Sequence, residues 1–162
     1  MATCPTRTAY HGNAAPAPRD CTNFKLRQLT RCVSREYDAV LAATGIKTSQ
    51  YSLLNAVDKI GPARPADLAA QMRLDASTLT RNLQPLVAHG WATVGPGEDQ
   101  RSRLVSLTEA GSAKRIEATA SWKTAQQALN ARLGPDRVAQ LHALIDDCLA
   151  LLDGADEESS HG

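Results

Sequence analysis

Ser77, Thr80, Arg81 and Gln84 fall on one side of a short helical stretch, and Arg101 and Arg103 follow on a hairpin. At about 100° per residue, Leu79, Leu83 and Leu86 take the other side of that stretch, with Val87 at its edge. One side is built for a core. The other offers hydroxyls, an amide and a guanidinium, the groups that hydrogen-bond to base edges and phosphates in DNA. Arginine at a narrow hairpin tip suits the minor groove, where negative potential is strongest over A·T-rich steps. Asp99, two residues before Arg101, places a carboxylate to brace that guanidinium. The segment from Asp75 to Thr108 therefore reads as a recognition helix followed by a cationic wing. The plainer alternative is a hairpin with ordinary solvated charges.

Several elements must hold these groups in place. Asp67 to Met72 forms a short helix behind Pro65, a residue suited to a first helical position. Arg73-Leu74 is a tight link, and Asp75 is a good N-cap for the next helix. Two short helices so joined make a helix-turn-helix, whose second helix enters the major groove. Pro85 conflicts with the pattern, since a proline in a regular helix interior costs about 3 kcal/mol. The apolar period continues through Leu86, so the helix is expected to bend there and to end at Gly90. Trp91 to Val94 reads as a strand, Gly95-Pro96-Gly97 as the start of the hairpin tip, and Leu104 to Leu107 as the return. Two short strands are marginal alone, so they must lean on the helices, with Trp91 as anchor. Upstream, Thr48 is expected to cap a helix with Leu53, Leu54, Val57 and Ile60 on its apolar side, stopped by Gly61-Pro62.

The flanks are helical. From about Asp20 to Ala43, Leu26, Leu29, Val33, Tyr37 and Val40 step at three and four residues. Asp20 or Thr22 is the expected cap, and Gly45 the stop. Thr108 caps a long helix reaching Leu133, with Ile116, Trp122, Ala125, Leu129 and Leu133 as its stripe. After Gly134-Pro135 comes a last helix with a wide apolar face, Val138, Leu141, Leu144, Ile145, Cys148, Leu149 and Leu152, expected to end at Gly154. The expected organisation is a flexible arm over 1–19, a helical dimerisation region over 20–46 and 108–154, a winged helix-turn-helix over 47–107, and an acidic tail over 155–162. The fold class is mainly α with a small β-hairpin wing. The terminal helices hold more apolar surface than the central module needs, which points to a second copy. A two-fold dimer presents two recognition helices to half-sites roughly 34 to 36 Å apart.

The bulk properties set bounds. The chain has 162 residues and a formal charge of +1, so nucleic-acid contact must come from local placement of charge. No run approaches the roughly 18 apolar residues of a membrane span, and no secretory signal is visible. A cytoplasmic protein is expected. Cys4, Cys21, Cys32 and Cys148 lack paired spacing, so neither disulfides nor a zinc site is expected. His89 and His142 are isolated, and no metal or cofactor is implied. No Gly-rich phosphate loop, nucleophile elbow or spaced His and carboxylate cluster points to an enzyme. Arg27, Arg31 and Arg35 form an i, i+4 stripe that is either a solvated face or a surface for an anion.

LAAQMRLDASTLTRNLQPLVAHGW, the wing sequence DQRSR and LVSLTEAG at the head of the long helix resemble the MarR family of bacterial winged helix-turn-helix regulators. The resemblance covers about residues 20 to 153. It implies a homodimer on a palindromic double-stranded operator, usually a repressor. It also implies release by a small molecule, often an aromatic acid or phenol, bound between the dimer helices and the DNA-binding lobe. The DNA-reading residues implied are Ser77, Thr78, Thr80, Arg81 and Gln84, with Arg101 in the wing and Arg103 on the backbone. Pro85 departs from the charged residue often found there. The expected lining of a pocket for an organic anion is Phe24, Arg27, Arg31 and Tyr51. Some relatives sense hydroperoxides through a cysteine early in the first helix, which makes thiol sensing at Cys21, with Cys32 about three turns on, the alternative mode of release. A winged helix can also serve only as a protein-interaction module. Such a module would carry apolar or acidic residues at 77, 81 and 84.

Overall fold

The computed structural model describes residues 21–97 and 103–159, with 154–159 described by backbone alone. Its elements are α1 (Thr22–Leu41), a 3-10 turn (Ala42–Thr44), α2 (Thr48–Ile60), α3 (Pro65–Gln71), α4 (Ala76–Ala88), β1 (Ala92–Pro96), β2 (Arg103–Leu107), α5 (Glu109–Leu133) and α6 (Pro135–Ser159). Helices dominate, and the strands pair as one antiparallel hairpin. No helix among the described residues is long and apolar enough to cross a membrane.

The chain divides into two units, Met1–Cys32 and Val33–Gly162. In the first, residues 21–32 carry the opening turns of α1 and are exposed throughout. Leu26 and Leu29, expected on a core-facing stripe, are 53% and 39% exposed. Thr22 is the first helical residue rather than the cap, and Asp20 lies outside the described residues. In the second unit the same stripe becomes core, with Tyr37 and Leu41 buried and Val33 and Val40 packed against the cluster.

The start of α2 differs from the local expectation. Lys47 occupies the cap position, and its N–H donates to Gln50 Oε1 at 2.9 Å. Thr48 is already helical, and both its N–H and its hydroxyl donate to Asp38 Oδ1, at 2.7 and 2.6 Å. The carboxylate that satisfies this helix start comes from α1, and its charge suits the positive end of the α2 dipole.

The core of the second unit is assembled from Leu53, Leu54 and Val57 of α2, Leu68 of α3, Leu79, Leu83 and Leu86 of α4, and Val105 of β2. Toward this cluster α5 turns small residues. Gly111, Ala118 and Ala125 recur every seven positions and are buried. Ile116, expected on the stripe, is 64% exposed. It lies two residues from Ala118, about 200° around the helix, so both cannot face the core. Arg115 ties α5 to α2 through Asp58 Oδ2 at 3.1 Å.

In the hairpin, Ala92 pairs with Leu107, Gly95 with Leu104 and Pro96 with Arg103. Gly95 and Pro96 are thus strand residues, not the start of the tip. Proline is tolerated at such a strand end on the sheet edge. The other edge of β2 is also engaged, because Ala63 exchanges backbone hydrogen bonds with Val105, at 3.1 and 2.8 Å. The link between α2 and α3 therefore supplies a third backbone partner for the wing.

The last helix continues through Gly154 to Ser159. A single glycine costs about 1 kcal/mol relative to alanine in a helix, and without a positive φ or a following proline it does not end one. Part of the expected tail, 155–159, thus has helical backbone. Within α6, Leu144, Ile145, Leu151 and Leu152 are exposed.

Candidate nucleic-acid interface

Helix α4 begins where its sequence predicts. Asp75 has extended backbone and accepts from Thr78 N at 2.8 Å, satisfying one orphan donor of the first turn. The same carboxylate accepts from Ser77 Oγ at 2.5 Å and from Thr78 Oγ1 at 2.7 Å. These hydroxyl and backbone donors hold the Asp75 carboxyl well below the usual carboxylate range. Arg81 Nη2 in turn donates to Thr78 Oγ1 at 3.1 Å, which braces the guanidinium one turn along. Thr80 Oγ1 donates to the Ala76 carbonyl at 2.8 Å. Ser77, Thr80, Arg81 and Gln84 are exposed and Thr78 is half-buried, while Leu79, Leu83 and Leu86 are buried. The two-sided pattern is present as expected.

Pro85 sits inside α4, which runs on to Ala88. Beyond it the Nδ1–H of His89 donates to the Pro85 carbonyl at 2.6 Å, and Gly90 takes φ +69°. The His89 ring stacks on Trp91 at 4.5 Å, and Lys114 Nζ lies 5.6 Å from the Trp91 ring centre. Trp91 thus anchors the start of the wing. Thr108 fastens the other end: its hydroxyl donates to Gly90 O at 2.6 Å and accepts from Gly111 N at 2.9 Å, while its N–H donates to Trp91 O at 3.1 Å.

The turn before α4 contains a contact with no local signal. Arg73 takes φ +51°, unusual for a side chain larger than glycine. Its guanidinium holds both oxygens of Asp153 on α6, at 2.5 and 2.6 Å.

Arg103 is exposed at the base of the wing. Arg101 and Asp99, the expected tip arginine and its brace, lie outside the described residues. Between the first turn of α3, the flank of α4 that carries Thr80 and Gln84, and the wing strands is a cavity of about 530 Å³. Pro65, Leu83, Val87 and Val94 give it apolar walls, and Thr80, Gln84 and Arg103 supply its polar groups. Of the residues expected to line an anion pocket, Tyr51 is buried, with its hydroxyl donating to Thr119 Oγ1 at 3.2 Å and its ring tilted against Trp122. Phe24, Arg27 and Arg31 are exposed in the first unit. Cys21, Cys32 and Cys148 are exposed thiols. Cys21, just before α1, and Cys32 within it are eleven residues apart, on the order of 16 Å at helical rise, too far for a disulfide within one chain. Among the described residues no group of three or more His, Cys, Asp or Glu could hold a metal ion.

The sequence model of the MarR family matches residues 44–102, from the end of the 3-10 turn to the wing. The uncharacterized HTH-type transcriptional regulator YwoH of Bacillus subtilis is 30% identical over 93 residues, which span 57% of this chain and 68% of that protein. The chain belongs to the MarR family. It is also similar to the transcriptional activatory protein BadR of Rhodopseudomonas palustris, 30% identical over 106 residues and 61% of each protein. A cysteine-to-serine mutant of E. coli MarR, solved in complex with operator DNA, superposes with a TM-score of 0.72 at 26% identity, covering 78% of this chain and 92% of that one. The chain is a MarR-family transcriptional regulator with a DNA-binding winged helix. Two features of its reading head escaped sequence reasoning. The backbone partner at Ala63 has no periodicity to betray it. The clamp of Asp75 on two hydroxyls went unread, and its one signal was spacing, an N-cap aspartate followed by hydroxyl residues two and three positions on.

Proposed function

We propose that this MarR-family regulator acts in the cytoplasm as a homodimer on a palindromic operator and represses until a small organic acid releases it. The observation that carries the DNA-reading assignment is the exposed face of α4, where Ser77, Thr80, Arg81 and Gln84 stand clear of the core with Thr78 at their edge. In this reading α4 enters the major groove, Arg101 at the wing tip enters the minor groove, and Arg103 meets the backbone. The exposed apolar side chains of α6 support a second copy as their cover.

Arg81→Ala and Arg101→Ala test the assignment by different signatures. Loss of the Arg81 guanidinium is expected to relax preference at one half-site position by about 1 to 3 kcal/mol. Loss of Arg101 is expected to weaken binding to all sequences and to reduce the salt slope by about 1 per subunit. Fluorescence-anisotropy titrations across a salt series read both. A salt slope unchanged by Arg101→Ala would remove the wing from the interface.

The cavity beside α4 favours an organic acid as effector. It has apolar walls for a ring and one guanidinium for a carboxylate. An occupant would also cover Thr80 and Gln84, so ligand and DNA would compete directly. Benzoate and hydroxybenzoates are expected to raise the apparent melting temperature of the free protein and to displace operator. Arg103→Ala should abolish the thermal shift. A shift that survives this change would place the ligand elsewhere.

A further inference from the structure

The N-terminal turns of α4 commit their hydroxyl protons before any DNA arrives. A serine or threonine hydroxyl has one proton to donate and two lone pairs to accept with. An ionised carboxylate can only accept. Ser77 Oγ lies 2.5 Å from Asp75 Oδ1 and Thr78 Oγ1 lies 2.7 Å from Asp75 Oδ2, so each of these protons points back at Asp75. The Thr80 proton is spent on the Ala76 carbonyl, which also only accepts. One lone pair of Thr78 Oγ1 is taken by Arg81 Nη2. What remains outward is one lone pair on Thr78 Oγ1 and lone pairs on Ser77 Oγ and Thr80 Oγ1. The side-chain donors on this face are the guanidinium of Arg81 and the amide of Gln84.

That inventory has a consequence for recognition. Phosphate oxygens accept only, as do guanine O6 and N7 and thymine O4 in the major groove. The donors a protein meets there are the exocyclic amino groups, N4 of cytosine and N6 of adenine. We propose that Ser77 and Thr78 are specificity-determining residues that read amino groups. They select cytosine or adenine on the strand they face and reject guanine or thymine in the same place, with Asp75 as the positioning residue that sets their polarity. To donate outward instead, either hydroxyl would have to give up a charge-assisted hydrogen bond, the stronger class. Arg81, held by Thr78, supplies the complementary donor fork for a guanine.

The inference rests on α4 being the DNA-reading helix, and the test separates the two. Asp75→Asn is nearly isosteric, and asparagine is as good an N-cap as aspartate, so the helix start survives. With its oxygen kept at Oδ1, it retains the bonds to Thr78 N and Ser77 Oγ. Its amide nitrogen then donates to Thr78 Oγ1 and frees the Thr78 proton to point outward. Base preferences are to be read by selection from a randomised duplex library, for the wild-type dimer, Asp75→Asn and Ser77→Ala. In the wild type, one half-site position facing Ser77 and one facing Thr78 should favour C or A by fivefold or more, about the effect of one mismatch. In Asp75→Asn the Thr78 position should turn toward G or T while the Ser77 position keeps its preference. Ser77→Ala should lose discrimination at its own position alone. Asp75→Asn also removes a negative charge from the interface, so a uniform gain in affinity is expected, and the relative preference is the readout. A selected operator whose preferences are untouched by Asp75→Asn overturns the proton inventory and leaves the reading helix standing. A wild type that enriches no sequence overturns both.

Discussion

Gly111→Ala is expected to cost about 3 kcal/mol or more and to lower the urea midpoint sharply. A Cβ built at Gly111 would lie 1.8 Å from the Trp91 carbonyl oxygen and 2.7 Å from its carbon. These are backbone atoms, so no side-chain rotation relieves the clash. Ordinary overpacking of a core costs about 1 to 3 kcal/mol, and contact with main chain belongs at or above the top of that range. The Trp91 oxygen also accepts from Thr108 N, and the Gly111 N–H donates to Thr108 Oγ1. Moving α5 outward therefore breaks the knot joining the wing to the long helix. Against a total stability of about 5 to 15 kcal/mol, this is a large fraction. Gly95→Ala is the control. Nothing lies within 4 Å of a Cβ there, and it should be near neutral. Equal urea midpoints for Gly111→Ala and Gly95→Ala would refute the packing argument.

The second large effect concerns α6. Leu144 and Leu151 are 62% and 77% exposed, and their seven-residue spacing puts them on one side of the helix. The double variant Leu144→Asp with Leu151→Asp should leave the protomer's helical circular dichroism intact, since neither side chain belongs to its core. In the proposed dimer the same change buries carboxylates against apolar side chains. Sedimentation should then report a monomer, and affinity for a full operator should fall by about 10² to 10⁴, the gain that linking two sites provides. Affinity for an isolated half-site should change little. A variant that still sediments as a dimer would rule out this face as the interface.

Local patterns disclosed the two sides of α4 well. Leu79, Leu83 and Leu86 alternate with Ser77, Thr80, Arg81 and Gln84 within a single helix, so both the core side and the polar side followed from one period. The caps at Asp75 and Thr108 were equally local, each accepting from the N–H three residues on. What stayed hidden depended on distant partners or on small side chains. Asp38 caps α2 from another helix, and Arg73 meets Asp153 eighty residues away. Ala118 outranks Ile116 in the core because α5 approaches its neighbours closely, and an alanine gives no hydrophobic signal of that approach. Glycine misled in the opposite direction. Gly154 looked like a stop and is helical, and Gly95 looked like a turn and is paired.

The backbone bridge from Ala63 to Val105 also decides how this protein can be cut and recombined. Since β2 is pinned between β1 and the α2–α3 link, the wing is not an appendage that can be exchanged alone. A chimera that transplants α4 and the wing but keeps a foreign α2–α3 link would have to rebuild that pairing across its own seam. The natural cassette runs from Lys47, where α2 is capped, to Thr108, where α5 begins. An operator-specificity swap at those two seams carries the wing's backbone partners with it, and its host must still supply Asp38, which caps α2 from α1, and Gly111, which packs on Trp91.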